Sequence, residues 1–301
     1  MHKIRAICLV MLFLNCSSET PVDQSGYNVQ YDFNAPAMRI TLPKILNEIS
    51  GQIILDSVTI ACVQDEQGTI FIYDMKKEEI VQQIDFAGDG DYEEICAVGA
   101  DLFVLRSDGI LFQVIDYASA SPQIETYATG IPADNNEGLC YDSLNNRLLI
   151  ACKSNISDEK DEKGLRGIYA FDLVTKSLEA DPVYEFNVED LVNFADQHDI
   201  DLPGKDKGDG SGSRLKFRIS SIGIHPVTHE LYVLSATDHA LFIFAPSPTE
   251  SGGGETLYME MLDKKIFNKA EGISFYKNGD VLITNEAQDK KPTLLLFAYK
   301  K

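Results

Sequence analysis

The chain is 301 residues long, with 47 Asp and Glu against 26 Lys and Arg for a formal charge of −21. That excess of acid excludes nucleic acid as a partner, because a polyanion is held by basic side chains that release its counterions. Anionic lipid is disfavoured for the same reason, while surplus carboxylates are available to a cation or a cationic ligand.

Lys3 and Arg5 precede a short apolar stretch over residues 6–14, too short to span a bilayer and shaped like a secretory signal. The stretch ends at Cys16-Ser17-Ser18, which is similar to a bacterial lipoprotein signal, so residues 1–15 read as a signal peptide and Cys16 as the lipidated first residue. An ordinary signal peptide with an incidental cysteine is the alternative. Either form implies export to the cell envelope, the lipidated one with the membrane touched only through the anchor. Residues 16–37 read as a polar tether and residues 38–301 as one folded domain, expected to act as a monomer.

From residue 38 onward a phrase recurs at the start of each unit, beginning at Ser50, Glu93, Glu137, Ser220 and Glu271, at intervals of 43, 44, 83 and 51 residues. Each phrase is followed by an apolar run, a turn and another apolar run. Four strands need about 40–50 residues, so the period predicts an all-β propeller of four-stranded blades. Strand-like runs fall at 50–54, 58–63, 69–73 and 79–86, then at 93–98, 102–105, 109–115 and 123–127. The third unit gives 137–141, 147–152, 167–172 and 182–186, and the fourth 220–225, 231–234, 240–245 and 256–262. The last gives only 272–276, 281–284 and 293–299, so residues 38–43 are expected to supply its missing outer strand and close the ring. Five blades are counted. The long interval leaves room for a sixth, but residues 187–217 read instead as an insertion, with an acidic helix over 188–198 followed by a Gly, Asp and Lys loop.

Cys62 and Cys152 occupy one repeat position and Cys96 and Cys140 another, which reads as small packing residues in equivalent environments. His225 and His229 have the spacing of a helical zinc pair, but Pro226 in a strand-to-strand turn denies them a shared face.

Aligned, the phrases Glu48-Ile49-Ser50-Gly51, Asp91-Tyr92-Glu93-Glu94-Ile95, Asn136-Glu137-Gly138-Leu139, Ile224-His225-Pro226 and Ala270-Glu271-Gly272-Ile273, with Leu231-Tyr232-Val233-Leu234-Ser235, resemble the SdiA-regulated (YjiK-like) family. The resemblance implies an exported or membrane-anchored β-propeller. The chain departs from it at Glu94, where the family phrase usually has Gly, and at His229, where a turn Gly or Asn is expected.

In a propeller the innermost strands line a central channel, and the loops entering them place side chains at its mouth. The alignment therefore predicts a ring of Ser50, Glu93, Glu137, Ser220 and Glu271, with Arg106, Lys153 and Glu286 near the ends of the second strands. Converging carboxylates repel one another unless a cation, a proton or a basic side chain intervenes. Two arrangements satisfy that demand. Calcium, with its six to eight oxygen ligands, would be held by Glu93, Glu137 and Glu271; alternatively Arg106, Lys153, Arg218 and Lys269 neutralise the acids internally as a salt-bridge network. No GxSxG elbow, HExxH helix or P-loop is present. The expected function is an envelope propeller that binds a divalent cation or small ligand at an acidic channel mouth. The alternatives are a metal-dependent hydrolase of phosphate esters or lactones, with Glu286 as base, and a scaffold for an envelope protein.

Overall fold

The computed structural model describes residues 26–133, 135–153, 155–156, 164–203, 215–246 and 254–300. The expected signal peptide and Cys16 lie outside the described residues.

The chain forms five sheets, each antiparallel and meandering outward from the axis. A short strand, β1 (Met38–Thr41), precedes blade 1, which comprises β2 (Ile49–Ile54), β3 (Thr59–Gln64), β4 (Thr69–Asp74) and β5 (Glu79–Asp85). Blade 2 holds β6 (Tyr92–Val98), β7 (Asp101–Arg106), β8 (Ile110–Ile115) and β9 (Gln123–Ala128). Blade 3 holds β10 (Asn136–Asp142), β11 (Arg147–Cys152) and β12 (Leu165–Asp172), with an outer edge split between β13 (Ser177–Leu178) and β14 (Tyr184–Asn187). After the helix α1 (Val188–Gln197), blade 4 holds β15 (Ser221–Ile224), β16 (Leu231–Ser235), β17 (Ala240–Phe244) and β18 (Thr256–Met261). Blade 5 holds β19 (Ala270–Phe275), β20 (Val281–Asn285) and β21 (Thr293–Phe297). The predicted closure is present: β1 pairs antiparallel with β21, from Met38 opposite Leu296 to Thr41 opposite Thr293.

Burial explains the sequence pattern of each strand. Middle strands such as β3 and β17 are sandwiched between neighbouring blades and are apolar on both faces, whereas the outer β5 and β9 expose most of their residues. Turn chemistry sets the corners. Asp74 Oδ1 accepts the backbone N–H groups of Lys76 and Lys77, and Asp172 Oδ1 those of Val174 and Thr175, so each strand ends in a preformed turn. His229 stands at φ +60°, which is why a Gly or Asn is the expected residue there.

The insertion carries the predicted acidic helix. Asn187 caps it by accepting from Glu189 N–H, and Val188, Leu191 and Ala195 bury one face against the core of blades 3 and 4. No further sheet forms among the described residues between β14 and β15, so the blade count is five.

The N-terminal segment corrects the expected tether. Tyr27, Val29, Tyr31 and Phe33 alternate with polar residues, and their side chains pack on blades 4 and 5, with Tyr31 and Phe33 buried. The Tyr31 hydroxyl donates to Gly279 O at 2.5 Å. Residues 26–37 are therefore part of the folded domain, held by aromatic burial that a polar linker lacks. Cys62, Cys96, Cys140 and Cys152 are free and buried, as expected of packing residues.

Candidate functional site

The inner strands β2, β6, β10, β15 and β19 surround the axis, each packed against the next. Four of them carry a register shift at one equivalent point: between Ile49 and Gly51, Tyr92 and Glu94, Asn136 and Gly138, and Ala270 and Gly272. The residue inside each shift is Ser50, Glu93, Glu137 or Glu271. In blade 4 the matching residue is Ser220, whose N–H bonds the Leu234 carbonyl although Ser221 is the residue opposite Leu234. A bulge re-aims its extra residue out of the strand's alternation. It is this local defect that turns the five side chains toward one another.

They meet in a pocket of about 260 Å³ lined by Ser50, Asp65, Asp91, Glu93, Asn135, Glu137, Lys153, Ser220, Lys269, Glu271 and Glu286. All five ring residues predicted from sequence are present, together with Glu286 and Lys153. Arg106 is not. Its guanidinium forms a fork with Asp108, Nε to Oδ1 at 2.9 Å and Nη2 to Oδ2 at 2.8 Å, and this closer carboxylate in its own hairpin holds it away from the mouth. Lys269, which the alignment places two residues before Glu271 as another candidate partner of the acids, does take that role.

Six carboxyl groups thus face two ammonium groups. Lys153 pairs with Glu137 Oε1, and Lys269 lies 2.8 Å from Glu271 Oε1 while also contacting Glu286. Burial lowers the proton affinity of Lys269, but Glu271 and Glu286 outweigh it and hold the ammonium well above its ordinary value. Glu93 has no ion pair among the described residues; burial first, then Glu137 and Asp91, push its carboxyl up to about 9 against the opposing pull of Lys153. Burial likewise raises Glu137 to about 7, opposed by Lys153, and raises Glu271, opposed by Lys269. Asp65 is pushed up to about 6 by burial and by Glu48 and Glu286, and its Oδ1 is buried without a hydrogen-bond partner among the described residues. Ser50 and Ser220 are already engaged, Ser50 with Glu48 O and Ser220 with Leu234 O and Ala270 O, so neither is a poised nucleophile.

Beneath the pocket the axis is filled. Glu94 is 1% exposed, and burial pushes its carboxyl well above the ordinary value. The Ser221 hydroxyl of blade 4 donates to Glu94 Oε2 of blade 2, and Ser221 Oγ accepts Ile273 N–H at 3.1 Å. Ser274 donates to Gln52 Oε1 at 2.8 Å, joining blades 5 and 1. Blade 1 has Gly51 beside this carboxyl because a Cβ there would stand 2.2 Å from Glu94 Oε1 and 2.7 Å from its Cα. Sequence reasoning noted Glu94 only as a departure from a family phrase. The adjacent pair Glu93-Glu94 was the available clue: a bulge between strand neighbours sends one carboxyl to the mouth and one to the axis.

The donor set suits a hard cation in kind but not in placement. Among the described residues no three Asp, Glu, His or Cys side chains gather closely enough to hold one metal ion, and three of the acids already hold lysines.

The chain matches no protein-family model and no curated protein. Solved structures resemble it over nearly its whole length. Glutaminyl cyclase of Myxococcus xanthus aligns over 88% of this chain and 96% of its own, with a TM-score of 0.58 at 12% identity. A chain of the mitotic checkpoint complex aligns over 99% of this chain and 100% of its own, with a TM-score of 0.50 at 11% identity. The likeness is one of fold. It agrees with the propeller that the repeat predicted and leaves the chemistry to the site.

Proposed function

We propose that the protein is an exported, lipid-anchored envelope propeller, akin to the SdiA-regulated proteins, that binds a small polar ligand bearing a primary ammonium group in its axial acidic pocket. What carries this reading is the acceptor-rich lining of the pocket, six carboxyl groups against two lysines, with Asp65 Oδ1 left without a donor among the described residues. An ammonium supplies three donors and one positive charge in the volume of a few heavy atoms. Unlike calcium, it needs no cage of six or more oxygens, and Lys153 and Lys269 can stay where they are. Thermal melts with small primary amines, their neutral isosteres and calcium test the reading. Amines alone should raise the melting temperature, and Asp65→Asn should reduce the gain. A rise with calcium that chelator reverses would favour the metal ion instead, and no rise with any of them would reject the ligand site.

A second reading is acid–base catalysis at the same pocket. Glu93, raised to about 9, holds a proton at neutral pH, where Glu137, raised to about 7, can accept one. The fold likeness to a glutaminyl cyclase makes cyclisation of an N-terminal glutamine the first reaction to try. In it the α-amine attacks the side-chain amide carbonyl, and a carboxylic acid protonates the departing ammonia. Ammonia release from a glutaminyl peptide that is lost in Glu93→Gln would establish this activity; binding without release would leave the protein a receptor.

A further inference from the structure

The two innermost strands that flank the acidic pocket at Ser50 and Glu271 end four residues later at Ile54 and Phe275. At a rise of about 3.3 Å per residue, those ends lie roughly 13 Å farther along the axis, on the opposite face of the propeller. There a groove of about 940 Å³ opens between blades 5 and 1, floored by Met38, Ile54, Met75, Phe275, Tyr276 and Leu296. The volume lies in the upper part of the ~300–1,000 Å³ range of small-molecule sites. Its lining is the chemical opposite of the acidic pocket, for the apolar side chains line the cavity while charges come only from the surrounding turns.

Those charges are unequal in availability. Asp56 Oδ1 accepts the N–H groups of Val58 and Thr59 in its own turn, and Asp280 accepts Tyr299 N–H and the Asn278 amide, so both carboxylates already hold protein donors. Lys76 and Lys277 stand exposed in the hairpin turns on either side, and neither forms an ion pair among the described residues. Two methionines give the floor adaptable, polarisable packing suited to an alkyl chain. We propose that this groove binds a single-chain amphiphile with a carboxylate head group, the chain lying along the Met and Phe floor and the head held by Lys76 and Lys277. The groove lies at the opposite ends of these strands from the acidic pocket and shares none of its lining residues, so the two sites stand or fall separately.

The chain contains no tryptophan, and Val58, 37% exposed at the rim, offers a place for one. In Val58→Trp of the full chain, titration with dodecanoate below its micelle concentration should give a saturable blue shift of the indole. Dodecanol and dodecyltrimethylammonium should bind more weakly by roughly tenfold, the loss expected for one charge-assisted contact. Adding Lys76→Glu and Lys277→Glu should abolish the preference for the carboxylate. The same head-group ranking is expected in the unsubstituted chain by displacement of a fluorescent fatty-acid analogue. The proposal is overturned by an indole that does not respond, by equal affinity for all three head groups, or by a carboxylate preference that survives reversal of both lysines.

Discussion

Replacing Glu93 by Gln should stabilise the protein by an amount that grows with pH. The Glu93 carboxyl is raised from its ordinary 4.5 to about 9, by burial first and by neighbouring acids second. Below the unfolded value both states hold the proton, and Glu93 adds nothing to the pH dependence. Between 4.5 and about 9 the unfolded chain has released the proton while the folded chain keeps it. Folding then takes up a proton, so stability falls as pH rises, by about 1.4 kcal/mol per unit. From about pH 5.5 to about pH 7.5 this residue alone removes ~2.7 kcal/mol. Glu137, raised to about 7, adds a loss of the same sign over the part of that interval below its own value. Gln keeps the size of the side chain and cannot ionise, so the Glu93→Gln curve should be flatter than wild type by about 1.4 kcal/mol per unit. Urea unfolding at half-unit steps of pH, with the slope of the transition checked for constancy, measures the difference directly. Parallel curves for the two proteins would refute the reasoning. Glu93 would then be ionised in the folded state, which requires a cation beside it beyond Lys153.

Phe33→Ala should cost about 3–5 kcal/mol and lower the melting temperature by roughly 10 °C, whereas deletion of residues 1–25 should leave it unchanged; equal melting of Phe33→Ala and wild type would restore the tether. Gly51→Ala should destabilise by about 1–3 kcal/mol, because its Cβ would fall within 2.2 Å of Glu94 Oε1. Part of that loss should return in the Gly51→Ala, Glu94→Gly double variant, and strict additivity would deny the contact. Arg106→Gln should change neither the pH slope of stability nor any amine-induced rise in melting temperature, since its charge is spent on Asp108; a lost rise would place Arg106 back at the pocket.

The architecture was legible because each blade must begin with the same bulged entry to the axis, and that constraint writes one phrase into the chain five times. Closure by β1 followed from counting strands, for blade 5 was one short and residues 38–43 had no other sheet to join. The ring residues were legible for the same reason, since alignment of repeats fixes which residue sits at the mouth. Alignment does not fix which partner a long side chain takes. Arg106 ends β7 and Lys153 directly follows β11, but Asp108 two residues beyond Arg106 captures its guanidinium, while Lys153 reaches Glu137. A local competitor decides between two equivalent positions. The aromatic alternation of Tyr27, Val29, Tyr31 and Phe33 was equally visible, but it is a single short run outside the repeat, and composition alone made it look like a linker.

Glu93 and Glu94 show how a one-residue irregularity divides labour within the channel. In a regular strand, adjacent side chains point to opposite faces of the sheet, and neither would be directed along the axis. The bulge between Tyr92 and Glu94 turns Glu93 into the pocket, where Asp91 and Glu137 raise it further after burial has done most of the work. Glu94 enters the axis itself, in space left open by the absent side chain of Gly51, and its carboxyl takes the Ser221 hydroxyl from a blade that is not its neighbour. That bond and the Ser274–Gln52 bond lie among side chains almost wholly shielded from solvent. They form a polar floor that closes the acidic pocket below. Any ligand of the pocket would therefore enter and leave by the same face, and the apolar groove at the far ends of the same strands has to be reached from outside.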